Sequence, residues 1–220
     1  STPTGAQLII DDKSHGATPQ TVTLVFGNHN VKLVNGKKVV NEAINIAQNG
    51  RTSFSFDVSE NTFTDKRDGK TYKTVKIGSQ IWMAENLNYK TTDSYCYDNN
   101  EANCQKYGRL YTWKVAKSAC PSGWHLPSKA EFETLLNNYG GENSAFVALK
   151  EGGNSGFNDL FGGFRKYGDH YNQGSRGYFW SSSEYNIFKA WYMNINSYNK
   201  KANMHYNSQS DCRSVRCVQD

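Results

Sequence analysis

Residues 108–133 constrain the fold more than any other part of this chain, because they predict two helices and the corner between them. In the first half, apolar side chains recur at steps of three and four, which is typical of one buried helical face: Leu110, Trp113, Ala116 and Cys120. Pro121 and Gly123 follow at once and break the pattern. The sequence therefore predicts a helix over residues 110–120.

The second half of this stretch predicts a helix that begins after Ser128. Glu131 follows at the spacing of a capping box, in which two side chains bind free backbone N–H groups of the first turn. The next apolar residues have the spacing of a buried helical face: Phe132, Leu135, Leu136 and Tyr139. Gly140 and Gly141 end the predicted helix.

Residues 1–60 differ from the rest of the chain, since they contain neither Cys nor Trp. Four runs alternate in the manner of strands: 21–26, 31–34, 38–40 and 52–58. Asn35 and Gly36 are a strong signal for a tight hairpin, because both turn positions must accept a positive φ, and residues 49–50 are a candidate second turn. So short a set of strands buries little, and we expect this β-rich region to dock on the rest of the chain or to accept a partner strand.

Charge and hydropathy exclude two classes of partner. The net charge is +5, but the basic residues are scattered and form no nucleic-acid-binding motif, so we expect no nucleic acid partner. No apolar run approaches the roughly 18 residues that a membrane-spanning helix needs. The chain begins Ser-Thr-Pro-Thr, so we expect that a signal peptide has been removed or was never present.

The five cysteines form no Cys-x-x-Cys motif and no His-containing zinc spacing. Cys96 and Cys104 bracket a polar loop with no core of its own, which a disulfide would close. A bond between Cys120 and Cys217 could tie the first predicted helix to the last strand, which would leave Cys212 unpaired. We predict an oxidising, extracytoplasmic location.

From residue 61 the sequence predicts a second unit. Residues 62–77 have the pattern of a hairpin that turns at Asp68 and Gly69. Asp65 and Asp68 resemble part of a calcium loop, but the alternate acidic spacing of an EF-hand is missing, so we favour a turn. After residue 149, glycines and aromatic residues predict long ordered loops. Short strands are predicted over residues 178–181, 190–195 and 214–218.

Six motifs in this second unit occur in a distinctive order. They are Asp-Gly-Lys-Thr-Tyr (68–72), Trp-Met-Ala-Glu-Asn-Leu-Asn-Tyr (82–89), Gly-Arg-Leu-Tyr-Thr-Trp (108–113), Cys-Pro-Ser-Gly-Trp-His-Leu-Pro-Ser (120–128), Tyr-Phe-Trp-Ser-Ser-Ser-Glu (178–184) and Ser-Val-Arg-Cys-Val (214–218). Together they resemble the Fibrobacter succinogenes major paralogous domain over residues 61–220.

The resemblance implies an α+β protein. Residues 61–220 would form a C-type-lectin-like domain with two helices, a small twisted antiparallel sheet and long ordered loops, preceded by the small all-β N-terminal region. Related domains occur on secreted and surface proteins of Bacteroidetes-type bacteria, including the tips of adhesive pili. A cystine commonly joins the first helix to the final strand in such folds, at the places of Cys120 and Cys217. The sugar-binding calcium motifs of C-type lectins are absent, so we predict no calcium-dependent mechanism.

Residues 185–207 are the candidate ligand-binding segment, because they combine rigid aromatic rings with adaptable amides. The candidate contacts are Tyr185, Asn186, Phe188, Trp191, Tyr192, Asn194, Asn196, Tyr198, Asn199, Asn203, His205 and Tyr206. By strand alternation, we expect the odd-numbered side chains Trp191, Met193 and Ile195 to pack in the core. The even-numbered side chains Tyr192, Asn194 and Asn196 are expected to face outward.

These residues lead us to expect a secreted or cell-surface adhesion module, with a pilus tip as the preferred setting. Its partner would be a host or environmental glycan or surface protein, and residues 1–60 would pair with a neighbouring pilus subunit. We expect no catalysis and no cofactor. A purely structural pilus or surface-layer subunit is the alternative without a soluble ligand.

Two enzymatic alternatives are weaker, and the histidines add none. Cys212 and Cys217 resemble the copper-binding active-site pair of formylglycine-generating enzymes, but a Cys120–Cys217 disulfide would remove this pair. Asp159, Asp169 and Glu184 are candidate glycosidase carboxylates on composition alone. The ring of His125, at the corner before the second helix, is expected to bind backbone atoms rather than to catalyse.

Overall fold

A computed structural model describes residues 6–18, 21–35, 38–46 and 61–220. The chain divides into two compact units, Ser1–Asn61 and Thr62–Asp220.

The described part of the first unit is a four-stranded antiparallel sheet in the order β2-β1-β3-β4. Its strands are β1 (Gln7–Ile10), β2 (Lys13–Ala17), β3 (Gly27–Asn35) and β4 (Lys38–Ile46). Alternate side chains of β1 and β3 point to one face, so the apolar ones form a small core: Leu8, Ile10, Val31 and Leu33.

The strand predictions for this unit have mixed outcomes. Residues 31–34 and 38–40 lie in β3 and β4, and Asn35 pairs with Lys38 across the predicted turn. The strand predicted over residues 21–26 is wrong, because these residues form no strand and Val25 and Phe26 are exposed. The turn residue Gly36, the second predicted turn at residues 49–50 and the strand predicted over residues 52–58 lie outside the described residues.

The second unit combines thirteen described strands with four α-helices. Its strands are β5 (Thr62–Thr64), β6 (Thr71–Ile77), β7 (Gln80–Met83), β8 (Ser94–Tyr95), β9 (Leu110–Thr112), β10 (Trp124–His125), β11 (Phe164–Lys166), β12 (Asp169–Tyr171), β13 (Arg176–Asn186), β14 (Lys189–Asn196), β15 (Lys201–Ser208), β16 (Cys212–Ser214) and β17 (Val218–Gln219). Its helices are α1 (Glu101–Tyr107), α2 (Trp113–Ala116), α3 (Lys129–Asn137) and α4 (Glu142–Leu149).

These strands form two mostly antiparallel sheets, so the architecture is α+β. The smaller sheet has the order β10-β17-β7-β6-β5, and the hairpin between β5 and β6 contains the predicted turn at Asp68 and Gly69. The larger sheet has the order β12-β11-β16-β13-β14-β15, with β8 and β9 attached beside β16. Within it, β13 and β16 run parallel where Phe179 pairs with Ser214.

The second predicted helix is confirmed and the first is wrong. Helix α3 begins after Ser128 with a complete capping box to Glu131, and its apolar face is buried. Residues 110–112, by contrast, form β9, because Leu110 pairs with Ser214 in the larger sheet. Only residues 113–116 of the predicted first helix are helical. The described residues thus hold four α-helices, where two were expected, and residues 151–163 form a long irregular connection.

Both faces of the larger sheet are covered by apolar side chains. On one face, Met193 and Ile195 of β14 share a core with α3 and α4. On the other face, Trp180 and Tyr192 share a core with Tyr111 of β9 and with Trp113 and Ala116 of α2. Strand β14 therefore lies in the interior of the unit rather than on its surface.

Two disulfides lie in this unit, one between nearby and one between distant positions of the sequence. Cys96 is bonded to Cys104 and Cys120 to Cys217, the two pairs that the sequence suggested. Cys104 does not close an unstructured loop, since it lies fully buried in helix α1. Cys212 is a free, buried cysteine. No helix in the described part of the chain is long and apolar enough to cross a membrane.

Candidate ligand-binding surface

The turn between β13 and β14 carries the most conspicuous apolar surface of the second unit. Its two residues, Ile187 and Phe188, are 75% and 72% exposed. The turn is held from inside, because Asn186 Oδ1 accepts hydrogen bonds from the backbone N–H groups of Phe188 and Lys189, at 3.0 and 2.9 Å. The backbone of Gln209 adds a third bond, from its N–H to the carbonyl of Phe188. The tip of this turn, Ile187 and Phe188, thus has a backbone fixed by hydrogen bonds, and both of its apolar side chains lie in solvent.

Three aromatic rings lie on the strands next to this turn. Tyr185 and Tyr206 stack face to face, with centroids 3.7 Å apart and planes within 3°. Trp191 meets both rings edge to face, at 5.5 Å from Tyr185 and 5.3 Å from Tyr206. We call Tyr185, Ile187, Phe188, Trp191 and Tyr206 the aromatic patch. Because the rings support one another, they form a preorganised contact area.

Strand register explains why these rings come together. Trp191 pairs directly with Tyr206 across β14 and β15, so the two side chains share a face of the sheet. The register between β13 and β14 shifts on both sides of Glu184, and such a bulge re-aims the neighbouring side chain. This bulge was not visible in the sequence.

Two lysines lie on the patch. Lys129 Nζ is 4.8 Å from the ring centroid of Trp191, and Lys189 Nζ is 5.5 Å from that of Tyr206. Lys129 also forms an ion pair with Glu133 one helical turn away. Lys189 forms no ion pair within the described residues. The patch therefore combines apolar area with positive charge.

The remaining predicted contacts lie elsewhere. Tyr198 and Asn199 are exposed in the turn between β14 and β15, at the other end of the sheet from the patch. Since β14 has eight residues, roughly 25 Å separate its ends. Asn203 and His205 lie on β15, and burial lowers the pKa of His205. The predicted site is thus not one surface.

The expected alternation along β14 is wrong. Tyr192, Asn194 and Asn196 are buried rather than outward, with at most 9% of each exposed. The reason is that β14 lies between β13 and β15 with a core on each face, so its even positions are covered as fully as its odd ones. Trp191, expected in the core, is instead partly exposed at the edge of the patch.

The asparagines of this segment serve the fold itself. All six accept or donate hydrogen bonds within the chain. The partners are Phe188 and Lys189 for Asn186, Gly177 for Asn194, Tyr198 for Asn196, Lys201 for Asn199, His205 for Asn203 and Ser208 for Asn207. Short Asx-type bonds of this kind explain why asparagine recurs at these turns. The amides predicted to contact a ligand are thus largely committed to turns and strand pairs.

The disulfides contradict the alternative in which Cys212 and Cys217 bind copper. Cys217 is bonded to Cys120, so Cys212 and Cys217 do not form a dithiol. Burial raises the pKa of the Cys212 thiol, against the opposing effect of Arg165. Cys96, Glu101 and Cys104 approach one another closely, but both cysteines are in a disulfide and lack the thiolate that a metal needs.

Other single-residue expectations are resolved as well. His125 binds two carboxylates rather than backbone, with Nδ1 at 2.7 Å from Asp220 and Nε2 at 2.8 Å from Glu131. Asp65 is fully buried and pairs with Arg67 in the hairpin turn, as turn chemistry predicted. Asp159, one of the glycosidase candidates, has no solvent exposure.

A polar cleft of about 250 Å³ lies on the same unit and was missed by sequence reasoning. Arg216 lies at its base, fully buried, with Nε and Nη2 bound to Asn86 Oδ1 at 2.9 and 2.6 Å. Lys70 and Lys106 line its walls. Burial lowers the pKa of Arg216 to about 10. The guanidinium holds separate chain segments together, since it also binds the carbonyls of Met83 and Phe157.

The fold and this surface define a disulfide-bonded α+β protein with a rigid, exposed aromatic patch. Residues 75–219 match the model of the Fibrobacter succinogenes major domain, and the chain belongs to that family. Residues 1–59 match the model of the PEGA domain. No curated protein and no solved structure matches the chain.

Proposed function

We propose that this protein is an extracellular binding module that holds its ligand on the aromatic patch, as an adhesin does. The observation that carries the proposal is the patch itself. Large apolar and aromatic side chains stand exposed on a turn whose backbone is held by Asn186 and Gln209. Exposed patches of this kind mark interaction sites, and tyrosine and tryptophan at their centre dominate binding energy.

The disulfides support an extracellular or outer-surface location. Two cystines in a chain of 220 residues indicate an oxidising compartment. We further propose that the second unit has a C-type-lectin-like fold, which is supported by the Cys120–Cys217 link between the segment after α2 and the end of the chain. An experimental structure, superposed on C-type lectin domains, tests this proposal.

The setting that we propose is the tip of a pilus or another surface assembly. The first unit would then join a neighbouring subunit by strand addition, because β2 and β4 are the outer strands of its described sheet. A donor-strand peptide titrated against the isolated chain tests this step. Binding should raise the thermal midpoint of the first unit and leave that of the second unchanged.

The binding role is tested with matched surface variants. Phe188→Asp and Tyr206→Ala change the patch, whereas Tyr198→Ala changes a tyrosine as exposed as Phe188, in the turn between β14 and β15. Wild type and variants are applied to glycan arrays and to panels of surface proteins. We expect a ligand that the patch variants lose by tenfold or more, as about 1.4 kcal/mol of lost contact implies, and that Tyr198→Ala retains. Loss in all variants alike, or in none, would contradict the proposal.

A further inference from the structure

We infer that the partner of the aromatic patch is a protein surface with an apolar pocket and a carboxylate at its edge, rather than a glycan. This inference rests on the proposed function and makes its ligand specific. Three features of the patch lead to it: the shape of the tip, the use of its hydrogen-bonding groups and the placement of its charge.

The tip is apolar where a sugar-binding site would be polar. Ile187 and Phe188 are the most exposed large side chains of the patch, at 75% and 72%. Neither side chain can hydrogen-bond, and Ile187 offers no flat face for a sugar ring. A protruding pair of this kind is matched by a concave apolar pocket, the usual counterpart of a protein hot spot.

The polar groups beside the tip are already engaged. Asn186 Oδ1 accepts two backbone N–H groups, and the side chain of Gln209 donates to the carbonyls of Asn186 and Lys189. Recognition of sugar hydroxyls requires several groups that are available to a ligand, whereas Asn186 Oδ1 and the side-chain N–H groups of Gln209 are already used by the turn.

The charge at the patch selects a partner with a carboxylate. Lys189 lies over Tyr206 without an ion pair among the described residues, while Lys129 is neutralised by Glu133. Glu184 does not offset Lys189, because it pairs with Ala190, whose side chain points to the opposite sheet face from Trp191. The uncompensated charge of the patch is therefore one ammonium group at its rim, which favours an acidic group opposite it.

The probes for this inference are a phage-displayed library of random linear peptides and a glycan array, both screened against the full chain. We expect selected peptides to combine large apolar residues with Asp or Glu. A synthesised peptide should lose at least tenfold affinity in Phe188→Asp and in Ile187→Asp, and about threefold in Lys189→Gln. Tyr198→Ala and Lys200→Gln, both at the far turn, serve as controls and should bind normally.

The outcomes separate this inference from the proposed function. Peptides without acidic residues, or a Lys189→Gln variant that binds normally, would overturn the assignment of the partner. Glycans that bind only when the patch is intact, without any patch-dependent peptide, would also overturn it and would leave the proposed function standing. If no ligand of either kind is lost in Phe188→Asp and Ile187→Asp, both proposals fail. Near-UV circular dichroism confirms that each variant is folded.

Discussion

The carboxyl group of Asp159 lies against the Cα atom of Gly177. A Cβ atom at Gly177 would be 2.0 Å from Asp159 Oδ2, and Asp159 is fully buried. Its Oδ1 accepts a hydrogen bond from the backbone N–H of Phe161 at 2.9 Å, whereas Oδ2 has no partner among the described residues. This contact fixes the irregular connection 151–163 against β13, the strand that ends in the aromatic patch.

Replacing Gly177 with alanine should therefore destabilise the protein. The added methyl group has no free space, because the buried carboxyl of Asp159 occupies it. We expect a loss of about 1–3 kcal/mol in the free energy of unfolding, measured with denaturant. Gly162→Ala is the matched control, since its Cβ would find its nearest neighbour at 3.5 Å. A Gly177→Ala protein as stable as that control would contradict the contact.

Asp159 should also make stability depend on pH. Burial raises the pKa of this carboxyl from 3.8 to about 7, against the opposing effects of Phe161 and Arg216. Between these two values the folded state binds a proton that the unfolded state has lost, so stability should fall as pH rises from about 4 to about 7. Asp159→Asn cannot ionise and should lack this slope in urea unfolding.

The asparagine variant should be at least as stable as wild type at about pH 8, where the buried carboxylate of wild type carries its full desolvation cost. A large loss of stability in Asp159→Asn at that pH would contradict this prediction, because it would mean that an ionised Asp159 is needed beside Arg216.

His125 should titrate in the opposite sense. Partial burial disfavours its charged form, but the hydrogen bonds to Glu131 and Asp220 outweigh this effect and raise the pKa of His125 above 6.5. Its contribution to stability is thus present below pH 6.5 and is lost as pH rises through the raised pKa. NMR titration measures this pKa directly, and Asp220→Asn should lower it.

The same titration contains an internal control for His125. Burial lowers the pKa of His205, and Asp220→Asn should not move it, because His205 pairs with Asn203 instead. If both histidines shift in the variant, the effect is a general change of the fold rather than loss of the Asp220 contact.

The two disulfides should differ in their contribution to stability. They join residues 97 and 8 positions apart in the sequence. The chain-entropy model then gives about 4.7 kcal/mol for Cys120–Cys217 and about 2.5 kcal/mol for Cys96–Cys104. Serine at both positions of each pair, followed by denaturant unfolding, measures this difference. Equal losses would show that the entropy of the unfolded chain does not govern the contribution of these bonds.

Local signals predicted the parts of the fold that local interactions determine. The capping box of Ser128 and Glu131 gave the start of α3, because its hydrogen bonds lie within one helical turn. The turn at Asp68 and Gly69 was found for the same reason. Leu110, in contrast, has helical spacing to Trp113 but pairs with Ser214, more than a hundred positions away. The pattern that predicted a helix covers only residues 110–120, so it contains no information about Ser214.

The candidate site was predicted only in part, because exposure depends on tertiary cover. The rings of Tyr185, Phe188 and Tyr206 were named from composition, and they lie in or beside the turn between β13 and β14. Ile187 was overlooked, since an isolated isoleucine carries no recognition signal. The alternation predicted along β14 is wrong at Tyr192, because it assumes that one face of the strand is exposed to solvent. Each face of this strand instead packs on a core.

Tyr192 and Phe188 should therefore behave in opposite ways when truncated. Tyr192 is 9% exposed and packs against Trp180 and the guanidinium of Arg213, whereas Phe188 is 72% exposed. Tyr192→Ala should cost about 3–5 kcal/mol of unfolding free energy, as buried aromatic truncations do. Phe188→Ala should stay within about 0.5 kcal/mol of wild type and affect only ligand binding. Denaturant unfolding of both variants measures these losses. A Tyr192→Ala protein as stable as wild type would contradict the burial of Tyr192 and support the outward position that strand alternation predicted.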